Sequence, residues 1–494
     1  MADLQEVYNG STTSYLFGRR TIYASFDDIT PENVINAVNE ALNIHTLNLL
    51  EEETLYWYRR GVQPILWREK EIRPEINNKV SENHAEEIVS FKDGYFLTKP
   101  AFYVARNENA DTIRQVDELN EYLFRSGKQQ ADNEVVDWFH TVGKAALFVE
   151  PVDDADIPFA AHALDPRSAF VVYSMRPGNR PVMGVNVVTV DDKIKIDAYT
   201  REAVYRLSGA VSGKLISSEK NYEATAISVD AIESNPLRKI PIIEYQYNSV
   251  GMGAFEAVIP LLNAINRVQS NRLDGIEQMI QSLLVFYNCQ LGEDENGNPI
   301  SPDYVRAAGA LFLQSTGENK ADLKEIVSNL DQTQTQELVD NLYQQVLTIS
   351  GMPSTTKGGK STSDTGTAVL ARDGWYQAET FARNTEDLFK KSNRRFDEIV
   401  LEILRRKGLT TLKLSDFDLE ISRNETSNIQ SKAQAYTTLV QGGFHPILAM
   451  QKSGVSNDPV SDFEMSKPYI AMKVGNPDAP QEPQEEIEKE VIVA

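Results

Sequence analysis

The chain has 494 residues, 41% of them hydrophobic, and a formal net charge of −23. That leaves room for roughly two to four domains with a true core. The acidic balance excludes a simple nucleic-acid clamp, which needs a basic surface, but not a wall along which nucleic acid slides without being gripped.

Cys289 is the single cysteine, so no internal disulfide forms and folding in a reducing cytosol is expected. Residues 1–30 carry neither the basic start nor the apolar run of a secretory signal. No apolar run reaches the roughly eighteen residues a membrane span needs. His45, His84, His140, His162 and His445 show no i, i+4 pairing and no neighbouring cysteine pair, so no zinc site is expected.

Residues 1–26 have no period and read as an arm. Thr30-Pro31-Glu32 opens a helix with an N-cap, a proline at the first position and an early acid. Val34, Val38, Leu42, Leu49 and Leu50 continue its apolar face, and Gly61 ends it. Glu51-Glu52-Glu53 ahead of Tyr56-Trp57-Tyr58 predicts a solvated acidic side opposite an aromatic core side. A second helix is expected from Asn77 to Phe91, a turn at Asp93-Gly94, and strands at Tyr95–Leu97 and Phe102–Val104. Asp111–Phe124 and Asn133–Val142 read as helices; Ala145–Val149 and Ala169–Tyr173 read as buried strands. Strand pairs follow from Val185 to Leu215, turning at Asp191-Asp192, and Ile240–Tyr245 is extended. Residues 27–250 are therefore an α+β domain.

The next stretch dominates the pattern. Phe255, Val258, Ile259, Leu262, Ile265, Val268, Leu273, Ile276, Ile280 and Leu283 recur in steps of three and four, which predicts a rod of roughly 45–50 Å. Pro260 falls near its start, where the amides have no helical partner anyway. The run 288–330 is a small, turn-rich insertion (Gly292–Gly297, then Tyr304-Val305, Leu311–Leu313 and Leu323–Ile326). A module of that size needs a partner surface. A second rod is expected over Thr333–Ile349, stopped by Gly351-Met352-Pro353. Residues 354–367 are almost wholly Ser, Thr, Gly and Lys, and a third helix carries Leu370, Ala378, Phe381, Leu388, Phe396, Ile399 and Ile403. Leu412–Leu414 and Leu419–Ile421 read as strands, Ser427–Val440 and Pro446–Ser453 as helices. The run 475–494, with six acids and three prolines, reads as a disordered tail.

Gly359-Lys360-Ser361 resembles the end of a phosphate-binding loop, but the position of the loop's first glycine is Ser354 and a helix end precedes it. A phosphate cradle needs that glycine and a buried strand. A phosphate-binding α+β enzyme using 351–366 therefore stands as the alternative to a flexible polar loop, and a helical assembly adaptor as a third reading. No Ser/His/Asp or Cys/His pairing stands out, and Asp165-Pro166-Arg167 reads as a structural turn. Lys357 and Lys360 against Asp364 give the loop a net charge of +1. A few mobile cations suit transient contact with DNA; many phosphate contacts would make it stick.

Four segments together resemble the portal proteins of tailed double-stranded-DNA bacteriophages, in particular the long-tailed siphovirus type infecting Gram-positive bacteria. They are Asn77–Val80 through Gly94–Pro100, Asp165–Phe170, Ile240-Pro241 through Phe255–Pro260 and Asn266–Arg272, and Ser350–Pro353 through Ser363–Gly366. The resemblance implies a helix-rich α+β subunit of a ring, usually a dodecamer, at one capsid vertex of the virion. It implies an arm at 1–26, a wing at 27–253, stem helices at 254–287 and 331–350, and a clip at 288–330. A tunnel loop at 351–366, a long wing helix with strands at 367–424, a crown at 425–474 and the acidic tail complete the subunit. The tunnel-loop role falls on Lys357, Lys360, Ser361, Thr362, Ser363 and Asp364. The implied partners are the DNA passing through, the terminase large subunit, the head–tail adaptor, the major capsid protein and the scaffolding protein, and no membrane. No catalytic residue, cofactor or metal is implied, and synthesis falls in the host bacterial cytoplasm.

Overall fold

A computed structural model describes residues 18–107, 109–154, 156–190, 193–212, 223–280, 283–287, 289–291, 313–315, 322–326, 332–353, 374–423, 429–456 and 458–473. Outside these fall most of the arm, the Asp191-Asp192 turn, Gly292–Gly297, Tyr304-Val305, Leu311-Phe312, Leu370, the whole run 354–367 and the acidic tail.

The fold mixes helix and sheet. Strand β1 (Ile22–Ala24) precedes helix α1 (Val34–Arg59), a 3-10 turn at Pro64–Trp67, α2 (His84–Phe96), β2 (Phe102–Ala105), α3 (Ala110–Arg125) and α4 (Lys128–Val142). Eight strands follow: β3 (Lys144–Pro151), β4 (Phe159–Leu164), β5 (Ala169–Ser174), β6 (Pro181–Val190), β7 (Lys193–Tyr199), β8 (Ala203–Ser212), β9 (Glu223–Ser234) and β10 (Ile242–Gln246). Then come α5 (Ile259–Ile280), four short strands β11 (Leu283–Tyr287), β12 (Cys289–Leu291), β13 (Leu313–Ser315) and β14 (Asp322–Ile326), and α6 (Gln332–Ser350). The chain closes with α7 (Trp375–Arg406), β15 (Phe417–Glu420), α8 (Ile429–Gln441), α9 (Pro446–Ser453) and α10 (Pro459–Lys473).

Strands β5 to β9 form an antiparallel meander, and β1 joins its edge parallel to β5. A second antiparallel sheet runs β10-β3-β4. In the insertion β11 pairs with β14 and β12 with β13. The N-terminal half of α1 lays Val34, Ala37, Val38, Ala41 and Leu42 on the six-stranded sheet. Its C-terminal half turns Leu55 and Tyr58 into a different core, shared with α2, α5 and α6. The long helix α7 is the axis of the third core, where Phe389 and Phe396 are fully buried among side chains of α3, α4, β3 and β4. Burial of each such phenylalanine stabilises by about 1.5–3 kcal/mol.

The helices from 110 to 142, the meander and the rod-like α6 and α7 lie where the pattern places them. The stop after α1 has its expected form: Gly61 N–H donates to Tyr58 O (3.1 Å) and Val62 N–H to Trp57 O (3.0 Å). Five expectations fail. Asn77–Asn83 is not helical, and Asp93–Phe96 is not a turn and strand but the last turn of α2. The first rod stops at Ile280, giving about 33 Å rather than 45–50 Å, because Leu283–Tyr287 finds a strand partner in β14. Leu412–Leu414 forms no strand; β15 starts at Phe417, where β2 begins to pair with it. Glu51 and Glu52 are not solvated but 3% exposed each, while Glu53 meets Arg167 (2.8 Å). The helix α10 has no counterpart in the sequence reading. No helix among the described residues is long and apolar enough to cross a membrane.

Candidate DNA-conduit elements: the paired rods and the root of their loop

The rods α5 and α6 pack on one another. Arg272 near the end of α5 donates to Gln336 near the start of α6 (2.8 Å). Phe255 and Val258, at the head of α5, share a core with Val346 and Leu347 at the end of α6. The rods are therefore antiparallel. The apolar stripe of α5 is used unevenly. Phe255, Val258, Ile259, Leu262 and Ile265 are buried, whereas Leu273 is 44% and Ile276 42% exposed. On α6, Val346 is buried while Leu338 is 49% and Ile349 48% exposed. Both rods thus carry half-exposed aliphatic side chains.

The neighbouring stripe of α5 is polar and covered. Asn78 N–H donates to Asp274 Oδ1 (2.7 Å), Val80 N–H to Ser270 Oγ (3.0 Å) and Glu82 N–H to Asn266 Oδ1 (2.8 Å). Every second amide of an extended segment thus meets every fourth side chain of a helix. The match is metric: two extended residues advance about 6.6 Å and four helical residues about 6 Å. This pairing explains why Asn77–Asn83 is extended, since its amides are spent on α5. Asn266, Ser270 and Asp274 are buried as a result. Burial opposes ionisation of Asp274, but the Asn78 amide and Lys70 (3.0 Å) outweigh it and hold the carboxyl below the usual range. The polar spacing 266-270-274 is visible in the sequence beside the apolar stripe; its partner strand is not.

The loop residues Lys357, Lys360, Ser361, Thr362, Ser363 and Asp364 lie outside the described residues. Its two roots are described and they touch. Gly351, at φ +72°, ends α6 in a left-handed turn with Met352 N–H on Leu347 O (2.9 Å). A β-carbon on Gly351 would stand 2.9 Å from the Phe381 ring of α7. Gly374, the residue before α7, lies against Pro353, and Gln377 of α7 donates to Thr348 O (3.1 Å). Trp375 packs at about 6 Å from Phe91 and Tyr95 of α2. Beneath this root Lys92 is buried with its ammonium 5.3 Å from the Phe381 ring and 5.6 Å from that of Tyr247; burial lowers it to about 8.

Helix α6, not a buried strand, leads into Gly351, so the backbone that a phosphate cradle needs is not there. Asp165 accepts the Arg167 amide and guanidinium, and Arg167 reaches Glu53 of α1, so that turn is a structural tie. His45 stacks on Phe170 and bonds Arg167 O, and burial lowers it to about 4. His140 bonds Asp93 (2.6 Å), and burial holds it well below its ordinary value. Among the described residues no group of three or more His, Cys, Asp or Glu side chains could hold a metal ion.

The described residues thus build a helical hairpin of rods beside a sheet-rich body. Residues 39–467 match the family described as "Phage portal protein, SPP1 Gp6-like", and the chain belongs to that family. No curated protein matches it. Among solved structures it is similar to a chain of the "Virion of native gene transfer agent (GTA) particle", with 10% identity, a TM-score of 0.39, and 75% of this chain and 89% of that one covered. A chain of the "Neck of empty GTA particle computed with C6 symmetry" is similar at 11% identity and a TM-score of 0.37, covering 75% and 90%.

Proposed function

We propose that copies of this portal protein close into a ring, twelve by the family resemblance, and that the ring is the conduit for double-stranded DNA at one capsid vertex of a long-tailed phage of Gram-positive bacteria. The observation that carries the ring is the half-exposed Leu273, Ile276, Leu338 and Ile349 on the paired rods. A lone subunit leaves these in water; a neighbour's rod covers them. In this reading α5 and α6 are the stem, the β11–β14 insertion is the clip, the sheets with α7 are the wing, and α8–α10 are the crown.

The touching roots at Pro353 and Gly374 support a loop that leaves the stem and returns at one place. In the ring, one such loop per subunit surrounds the channel, with Lys357 and Lys360 as the contacts to DNA. The chain's charge of −23 repels duplex from the wall and limits adhesion. The clip docks the terminase large subunit during filling and the head–tail adaptor afterwards, and the ring nucleates assembly of the major capsid protein with its scaffolding protein. The chain performs no chemistry of its own; the motor supplies the work of translocation.

Lys357→Ala with Lys360→Ala tests the loop: ring assembly stays normal while DNA packaging or retention changes. Normal packaging and retention would remove these lysines from the working contacts. Nucleotide turnover by the purified chain that Lys360→Ala abolishes would replace the conduit with the enzyme reading.

A further inference from the structure

The N-terminal segment enters the subunit at a point outside the residues that match the family, and it enters deeply. Arg19 has a fully buried side chain. Its Nη2 lies 2.7 Å from Glu256 Oε1, and its Nε 3.3 Å from Glu51 Oε2. Glu51 belongs to α1; Glu256 sits in the single turn that leads into α5 and is itself fully buried. The other oxygen of Glu256 accepts the Gly253 amide (2.8 Å), so this carboxylate caps the lead-in to the rod.

The backbone is held as tightly. Arg19 N–H donates to Gly251 O (3.0 Å). A β-carbon on Gly18 would stand 2.1 Å from Val250 O, and one on Gly143 2.1 Å from Gly251 O. Three strands of main chain thus cross where only glycine fits: the arm, the end of α4 and the strap 250–254 between β10 and α5. Ala254 N–H completes the crossing on His140 O (2.7 Å). Arg20 extends the grip, pairing with Glu51 (2.8 Å) while its backbone bonds Asn48.

We propose that Arg19 is a positioning residue: with the Gly18–Arg19 backbone it clasps the head of α5 to α1 and so fixes the direction of the stem relative to the wing. Burial raises the carboxyls of Glu51 and Glu256, the latter to about 7, and Arg19 opposes both shifts. The guanidinium is therefore the group that lets two acids from different parts of the subunit share one dry site. The consequence for a ring is geometric. Twelve- and thirteen-fold closure differ by about 2° per subunit, so a small change in how the head of the rod is set changes the number. This consequence rests on the ring reading; the clasp itself does not.

Native mass spectrometry of three full-length chains tests it. The native chain gives rings of one subunit number, and its count reports on the ring reading alone. Arg19→Met leaves the buried Glu256 carboxyl without its cation, while Glu51 keeps Arg20, and melts several degrees lower. Arg19→Met with Glu256→Gln removes the uncompensated charge and recovers most of that loss, yet forms open arcs or rings of several sizes. Rings of the native single size from the double variant overturn the proposal. Hydrogen exchange on the native chain decides independently of variants and rings: the Arg19 amide exchanges as slowly as those of 261–265. Fast exchange at Arg19 beside slow exchange in the first turns of α5 overturns it as well.

Discussion

Replacing Leu273, Ile276, Leu338 and Ile349 together by serine isolates the contribution of the rods to ring closure. Each of the four is 42–49% exposed in the subunit. Complete burial of a leucine or isoleucine is worth about 1.5–3 kcal/mol, so covering the remaining half of each adds about 0.7–1.5 kcal/mol. The four together contribute about 3–6 kcal/mol to each contact between neighbours, or roughly a hundred- to ten-thousand-fold in its equilibrium constant. Because the other half of each side chain is buried within the subunit itself, the isolated subunit also loses about 0.7–1.5 kcal/mol per site, seen as a lower thermal melt. Sedimentation velocity over a concentration series reads the outcome: assembly moves to concentrations at least a hundredfold higher while circular dichroism stays native. An unchanged assembly profile for the quadruple variant would refute the reasoning, for then the rods do not meet neighbours through this face.

Other outcomes follow from single features. Glu52 is buried and has its carboxyl raised to about 8 by desolvation. Above the ordinary carboxylate range the unfolded chain has released this proton and the folded chain still holds it, so stability falls as pH climbs toward 8. Between pH about 6.5 and 8 the loss from this group is on the order of 1–2 kcal/mol, partly offset at the lower end by His45 and His140, which there still shed protons in the unfolded chain only. Glu52→Gln flattens that slope in urea midpoints taken at the two pH values, and an equal slope in both proteins would contradict the assignment. Asp274→Ala leaves Lys70 and the Asn78 amide without their acceptor and costs about 1.5–3 kcal/mol; enhanced proteolysis within 68–82 is the specific sign. Phe396→Ala, at the centre of the core around α7, costs about 3–5 kcal/mol by chemical denaturation.

What could be read from the chain alone tracks how local the cause is. Helix α6 and its stop at Gly351 come from a pattern within twenty residues, and so does the 193–212 meander. Glu51 and Glu52 were misplaced because what draws them inward is Arg19, Arg20 and Lys144, far away in sequence. Asn77–Asn83 was misread as helix because its amides are satisfied by side chains nearly two hundred residues later, a pairing that no local propensity expresses. The rod was read too long because Leu283 fits the helical stripe and the strand of β11 equally well, and pairing with β14 decides between them. Of the candidate site, composition alone pointed to the polar loop. The junction of Gly351, Phe381 and Gly374 that roots it depends on packing of α6 against α7 and was not legible.

The proposed conduit exists only as a closed ring around DNA. Single-particle images of the purified full-length chain test it most directly. Closed rings are expected, with a central opening wide enough for a DNA duplex and with Lys357 and Lys360 facing that opening. Monomers at every concentration, or a closed assembly with no opening, would contradict it.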